Sequence, residues 1–218
     1  ILKETARYLV CVKPIGIAAQ GTQAEAMPQL LSAQLGCGIF PVHRLDQTVG
    51  GVMVYAKTAQ EAARLTQAMG QGQMQKTYLA VLTGCPAERA GTLEDLLFHD
   101  RFKNKTFVVS KERKGVKKAA LSYRVLAESN GRCLAHVRLS TGRTHQIRVH
   151  FSHMHHPLLG DDLYGGSIKL IQRQALHAYN VEFLHPMTGE KMKFTAPVPD
   201  DMKSLITNIW PDLDISKL

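Results

Sequence analysis

A chain of 218 residues is long enough to bury most of its unfolded surface, so it needs no disulfide or metal to hold a core. Its 44% hydrophobic and 21% charged composition excludes a disordered or fibrous protein, and no apolar run approaches the roughly 20 residues of a membrane span. The 27 basic residues outnumber 18 acidic ones, leaving +9 with histidines neutral, which points to a polyanionic partner ahead of an anionic membrane surface.

Tyr8–Lys13 is a short valine-rich run stopped by Pro14 and Gly16, and predicts a strand. The spacing of Met27, Leu30, Leu31 and Leu35 on one face predicts a helix over Ala24–Leu35, ended by Gly36 and Gly38. Gly51–Lys57 predicts a strand, and Ala59–Met69 an alanine-rich helix behind a Thr58 cap. Lys76–Thr83 alternates as a strand and closes at Gly84, and a hairpin is expected around Thr106–Ser110. Leu121–Leu126 and Cys133–Leu139 should pair across the turn Ser129-Asn130-Gly131. The stretch from Gly142 to Gly166 is polar and histidine-rich, with one or two helical turns near Gln146–Phe151. Ala175–Leu184 and Lys191–Thr195 predict two more strands, joined by a turn at His185-Pro186-Met187-Thr188-Gly189, and Asp200–Trp210 a closing helix. Strands outnumber helices and neighbours are hairpin-connected, so the fold class is α+β: a mixed, mainly antiparallel β-sheet flanked by helices.

The positive charge is local. From Arg101 to Lys118 there are eight basic residues against one acid, Glu112, so this segment carries +7 and the rest of the chain +2. Cys11, Cys37, Cys85 and Cys133 form no CxxC pair, which leaves a zinc ribbon or thioredoxin-type site unsupported. Cys11 and Cys133 lie in apolar runs and read as buried, reduced thiols. The chain begins at Ile1 rather than Met, so a targeting peptide or a further domain upstream stays open.

Four stretches carry candidate chemistry. In His43-Arg44-Leu45-Asp46, followed by Gly50-Gly51, an acid between an arginine and a glycine-bearing turn can be held ionised beside a cleft; a surface carboxylate paired with Arg44 is the commoner outcome of such spacing. In Lys76-Thr77-Tyr78 an aromatic amid basic residues can stack on a base, although a lone strand tyrosine is more often core or rim. Gly142-Arg143-Thr144-His145-Gln146-Ile147-Arg148 offers two arginines five apart with hydrogen-bonding Thr and Gln between them, suited to an anion or buried carboxylate; a solvated basic helix face fits the spacing equally. The histidines His145, His150, His153, His155 and His156 invite a metal reading, but the spacing is not HExxH and Asp161 and Asp162 lie beyond Pro157 and Gly160. Polar lining of a nucleic-acid groove is the plainer reading, and no metal is expected.

Together these segments resemble the RluA-type family of pseudouridine synthases. HRLDQTVGGVMVYAK resembles the family's HRLD-containing signature, KTYLAVLTG its tyrosine-bearing motif, and GRTHQIRVHFSHMHHPLLGDDLYGG its third motif and extension. YLVCVKPIGIAAQG resembles the opening strand and Lys-Pro-x-Gly turn, and ALHAYNVEFLHPMTGEKMKFTAPVPDDM the C-terminal strands, so the resemblance runs in order along essentially the whole chain. One departure is that Val49, Gly50 and Gly51 stand where the family usually has Thr-Ser-Gly, which removes hydroxyls from the loop.

The resemblance implies the pseudouridine synthase catalytic fold and an enzyme that converts uridine in ribosomal or transfer RNA to its C-glycoside isomer without metal, ATP or organic cofactor. It implies that Asp46 is the catalytic aspartate, that Tyr78 packs on the target base and helps remove the C5 proton, and that Arg148 pairs with Asp46 to keep it anionic. Arg44 would fill the gap left by the flipped nucleotide, and Arg143, His145, Lys76, Lys114, Lys117 and Lys118 would contact RNA. The expected organisation is a single catalytic domain over 1–218 with no S4 RNA-binding domain in view, acting as a cytoplasmic monomer; an organelle stays open. Two other readings make different predictions: a non-catalytic RNA-binding protein on a synthase scaffold would bind RNA but leave uridine unchanged, and a metal-dependent hydrolase on the histidine cluster would lose activity to chelators.

Overall fold

A computed structural model describes residues 1–185 and 188–215. In chain order the first elements are β1 (Lys3–Glu4), β2 (Tyr8–Lys13), α1 (Met27–Leu35), β3 (Phe40–Pro41), β4 (Gly50–Ala56), α2 (Ala59–Gly70) and β5 (Met74–Thr83). Then come β6 (Ala90–Asp100), β7 (Lys105–Val109), β8 (Val116–Ser129), β9 (Arg132–Leu139), α3 (Gln146–His153), β10 (Leu176–Leu184), β11 (Lys191–Thr195) and α4 (Asp200–Ile209). The chain divides into two compact units, each drawn from separate stretches: Ile1–Thr77 with His177–Pro197, and Tyr78–Leu176 with Val198–Leu218.

In the first unit β2 runs antiparallel to β4 from the pair Tyr8↔Ala56 to Lys13↔Gly51, and β4 runs parallel to β10 through His177↔Gly50 and Ala178↔Gly51. β1 and β11 extend this set as antiparallel partners of β2 and β10. All seven residues of β4 are buried, which fits an apolar run covered on both faces rather than an alternating one. Tyr8, Val10, Val52, Val54, Leu65, Val181 and Phe183 form its core. α2 begins as the sequence predicts, with the Thr58 hydroxyl accepting from the Glu61 N–H at 3.2 Å. α1 begins three residues later than predicted, at Met27, because a turn from Gln23 to Ala26 occupies that stretch and Pro28, lacking an N–H, suits only a first helical turn. Leu30 consequently points outward.

The second unit is an antiparallel meander in which β7, β6, β8 and β9 lie side by side, with β5 beyond β9. β8 and β9 turn at Asn130 and Gly131, both left-handed with φ of 49° and 65°, as the Asn-Gly pair predicts. β6 is the strand missing from the sequence reading. Its eleven residues include Glu94, Asp95 and Gly91, and only Leu97 is fully buried, so the short apolar run Leu96–Phe98 does not mark a strand of this length. The hairpin expected around Thr106–Ser110 turns instead at 101–104, and Thr106–Val109 lie inside its second strand. The turn expected over 185–189 includes Pro186 and Met187, which lie outside the described residues. Among the described residues no helix is long and apolar enough to cross a membrane.

Gly51 is the tightest point of the first unit. It sits at φ 131°, and a Cβ there would come 2.2 Å from the Ala178 carbonyl oxygen on β10. Backbone cannot retreat as a side chain can, so Gly51→Ala should destabilise the protein by more than about 2 kcal/mol, read as a lower midpoint in urea unfolding.

Candidate active site

The loop bearing Asp46 is fixed by a buried charge. Lys13, fully inaccessible at the end of β2, donates from Nζ to the carbonyls of Pro14 and Ile17, both at 2.7 Å, and of Gln47 at 3.1 Å. Three carbonyl dipoles satisfy the three donors of the ammonium, the arrangement that makes its burial tolerable. Gly16 and Gln47 clasp each other as well: the Gly16 N–H donates to the Gln47 carbonyl and Gln47 Nε2 to the Gly16 carbonyl, both at 2.9 Å. The Asp46 carbonyl accepts from the Val49 N–H at 3.0 Å, and the Val49 side chain is buried. The loop without the usual hydroxyls is thus held from the Lys-Pro turn on one side and by an apolar anchor on the other. Lys13 was absent from the candidate residues; its signal was the Lys-Pro-x-Gly turn, which the sequence alone shows only as the end of a strand.

His43 and Arg44 part company. Arg44 is exposed. His43 turns inward, its Nε2 accepting from the Val54 N–H at 3.2 Å while Nδ1 is buried without a partner. Burial, then the ammonium of Lys76, push its pKa down to about 3, so it is a neutral acceptor holding β4. Lys76 is half-buried, with Nζ 3.4 Å from the Met69 sulfur, and burial lowers its pKa. Its ammonium therefore sits against protein rather than on an open phosphate-binding face.

In the second unit Tyr78 is buried on β5. Arg148, buried on α3, makes a two-pronged ion pair with Asp161: Nε to Oδ2 at 2.6 Å and Nη2 to Oδ1 at 2.7 Å. Its guanidinium lies 5.0 Å over the Tyr164 ring. The Tyr164 hydroxyl accepts from the Thr106 N–H at 2.8 Å and pairs with His145 Nδ1 at 3.0 Å. His145 caps α3 at φ 53°, a left-handed conformation that costs a non-glycine residue of order 1 kcal/mol and that this network over-determines. Asp161 and Tyr164 were not singled out as partners of Arg148, because a pairing across thirteen residues and a glycine turn leaves no periodic signal.

Gln146 corrects the reading of its motif. Its Oε1 accepts from the Thr141 hydroxyl and the Arg143 N–H, and its Nε2 donates to the Ala120 carbonyl, so the amide is committed to protein rather than to an external anion. Arg143 joins the basic segment instead: its Nε donates to the Lys118 carbonyl at 3.0 Å, on the strand that also bears exposed Lys117. Lys114 is exposed just before that strand. Among the histidines, His150 is fully buried with neither ring nitrogen hydrogen-bonded, the Asp95 carboxylate being 3.9 Å from Nε2. Among the described residues no three His, Cys, Asp or Glu side chains converge as a metal site.

Residues 7–153 match a family described as RNA pseudouridylate synthase. The chain belongs to that family. It is 38% identical to a Bacillus subtilis protein named an uncharacterized RNA pseudouridine synthase, YhcT, over 94% of this chain and 70% of that protein. It is 35% identical to ribosomal large subunit pseudouridine synthase D of Xanthomonas campestris, over 97% of this chain and 70% of that one. The solved human RNA pseudouridylate synthase domain-containing protein 4 shares the fold, with a TM-score of 0.77 at 23% identity over 94% of this chain and 91% of the other. As in its relatives, the chemistry belongs to the RNA pseudouridine synthases, which are isomerases. The matched stretch contains Asp46, Tyr78 and Arg148.

The neutral His43 gives the family scaffold an acid-sensitive point. An unfolded histidine titrates near 6.5 and the folded one near 3, so between these values only the unfolded state takes the proton. Stability should therefore fall as pH drops below about 6.5. His43→Gln keeps an acceptor for the Val54 N–H and removes the titration. Between pH 7 and 5 it should lose on the order of 1–2 kcal/mol less than wild type in urea denaturation, the slope that persists belonging to groups such as His150, which burial also holds low.

Proposed function

We propose that this chain isomerises specific uridines in RNA to pseudouridine, with ribosomal RNA of the large subunit as its substrate and transfer RNA as the alternative to exclude. The observation that carries the reading is the family match over 7–153, a stretch that contains Asp46, Tyr78 and Arg148. Residues 1–218 are proposed to act as one catalytic domain, as a monomer in the cytoplasm.

Each step makes a demand that one residue type meets. Cleaving the C1′–N1 bond builds positive charge at C1′, which the Asp46 carboxylate stabilises or traps covalently. The freed uracil turns so that C5 faces C1′, which calls for a flat aromatic surface such as Tyr78. A C5–C1′ bond then forms, releasing the Asp46 carboxylate where it has trapped C1′. C5 loses its proton to a base, a second role proposed for Tyr78, while N1 takes up a proton from solvent so that the product is an isomer of the substrate. Arg148 supplies the cation that this carboxylate chemistry requires, its orientation set by Asp161. The nucleotide must first leave its stack, at a cost of a few kcal/mol that Arg44 and the cations of the 101–118 segment offset through RNA contacts.

Asp46→Asn should lower pseudouridine formation in large-subunit ribosomal RNA by a factor of at least about 10³ while RNA binding persists, as read by mapping pseudouridines after incubation with each protein. A wild-type protein that binds this RNA and transfer RNA yet leaves every uridine unchanged would establish the non-catalytic reading instead. Replacing Lys114, Lys117 and Lys118 together by Gln should weaken RNA binding and make the slope of log affinity against log salt shallower by about 2 to 3, as three lost phosphate contacts require.

A further inference from the structure

The tip of the β6–β7 hairpin carries a side chain that the catalytic reading leaves unused. Phe102 is fully solvent-exposed, with a relative accessibility of 104%. Its backbone is held in place: Asp100 Oδ1 accepts from the N–H groups of Phe102 at 2.9 Å and Lys103 at 3.0 Å, and Asn104 closes the turn in the left-handed region at φ 44°. A short turn capped in this way presents the side chain outward from a held backbone. An isolated exposed apolar residue is ordinary on a protein surface, so exposure by itself decides nothing.

The surroundings decide it. Arg101 and Lys103 flank Phe102 in sequence and are both exposed, and Asp100, the one acid of the turn, is committed to its backbone. Lys105 turns away, its Nζ donating to the Leu163 carbonyl at 2.6 Å. Along the same hairpin Phe98 and Phe107 are directly paired, and the Arg113 guanidinium lies 4.8 Å over the Phe98 ring. A lipid surface would ask for a cluster of large apolar side chains at the tip, and only one is there. A ring between two cations instead matches a ligand in which negative charges flank a flat π-face, which is an unpaired nucleotide.

We propose that Phe102 is a stacking platform for an unstacked RNA base, with Arg101 and Lys103 contacting the phosphates on either side. This deepens the reading of the protein as an RNA pseudouridine synthase by naming the form of RNA engaged outside the reacting uridine: a single-stranded stretch rather than a continuous duplex. A double helix buries its π-faces against one another and offers the ring only its backbone and groove edges.

The test uses the full chain and its single native tryptophan, the buried Trp210. Phe102→Trp places a second indole at the exposed tip. Its added fluorescence should be quenched by a single-stranded oligoribonucleotide and left largely unchanged by a fully paired RNA duplex of equal length at the same salt. In parallel, Phe102→Ala should bind the single strand about tenfold more weakly with an unchanged salt slope, and Phe102→Leu should not restore the affinity that Phe102→Trp retains. Equal quenching by duplex, no quenching by either RNA, wild-type affinity in Phe102→Ala, or full restoration by Phe102→Leu would each overturn the proposal. Asp46→Asn combined with Phe102→Trp should keep this fluorescence response while isomerisation falls as predicted for Asp46→Asn alone, so the function and the stacking platform fail separately.

Discussion

An ammonium group buried among three carbonyl oxygens sets the terms for the first unit. Lys13 ends β2, and its Nζ gathers Pro14, Ile17 and Gln47, so the loop after β2 and the loop before β4 converge on one point. A buried charge without partners would cost several kcal/mol, and the two loops are therefore obliged to present their carbonyls to it. Asp46 immediately precedes Gln47, so the backbone of the proposed catalytic residue inherits this constraint. A carboxylate that must meet a developing charge gains from a fixed backbone, because reorganisation at the moment of reaction would be added to the barrier. The same junction explains Gly50 and Gly51. Gly50 packs against the Lys13 carbonyl and the Ile15 side chain, and Gly51 lies where the backbone of β10 leaves no space for a Cβ. The Lys13 and Gln47 hydrogen bonds and the buried Val49 side chain hold this loop in place.

The second unit solves a related problem with an ion pair. Arg148 and Asp161 are both buried, and the two-pronged geometry is the form in which such a pair repays the removal of both charges from water. Tyr164 extends the pair into a network, giving its ring face to Arg148 and its hydroxyl to Thr106 and His145. The network ties Thr106 on the β6–β7 hairpin to the start of the helix that bears Arg148. Burial raises the pKa of Tyr164, so the hydroxyl stays a neutral hydrogen-bonding group across the physiological range.

Most of the architecture was legible because its segments obey one period each. β2, β5, β9 and β11 are apolar or alternating runs closed by glycine or proline, and Asn130-Gly131 is a turn whose φ values few other residue pairs adopt. β6 was invisible for the converse reason: its stability comes from pairing on both sides, with β7 and β8, so its own sequence can afford glycine and acids. The site divided in the same way. Asp46, Tyr78 and Arg148 were named through motif resemblance, whereas Lys13, Asp161 and Tyr164 act through contacts that depend on how loops close. Gln146 shows the limit of residue type as a guide, since an amide that looks poised for an anion proves to be a staple between Thr141, Arg143 and Ala120.

Net charge and displayed charge also differ. The segment from Arg101 to Lys118 carries +7 in sequence, yet strand geometry sorts its side chains. Lys105 is spent on the Leu163 carbonyl, and Lys118 lies 3.4 Å from Glu112, both exposed, where an ion pair is largely screened and weak. Arg113 is laid over Phe98. The exposed cations Arg101, Lys103, Lys111, Lys114, Lys117 and Lys118 are those left to face a polyanion, joined by Arg143, which the sequence places twenty-five residues beyond Lys118 and the fold ties to its carbonyl. A salt slope counts contacts made with phosphate rather than lysines in a sequence. It should therefore report the cations the hairpin displays, fewer than the sequence contains within the segment and supplemented by one from outside it.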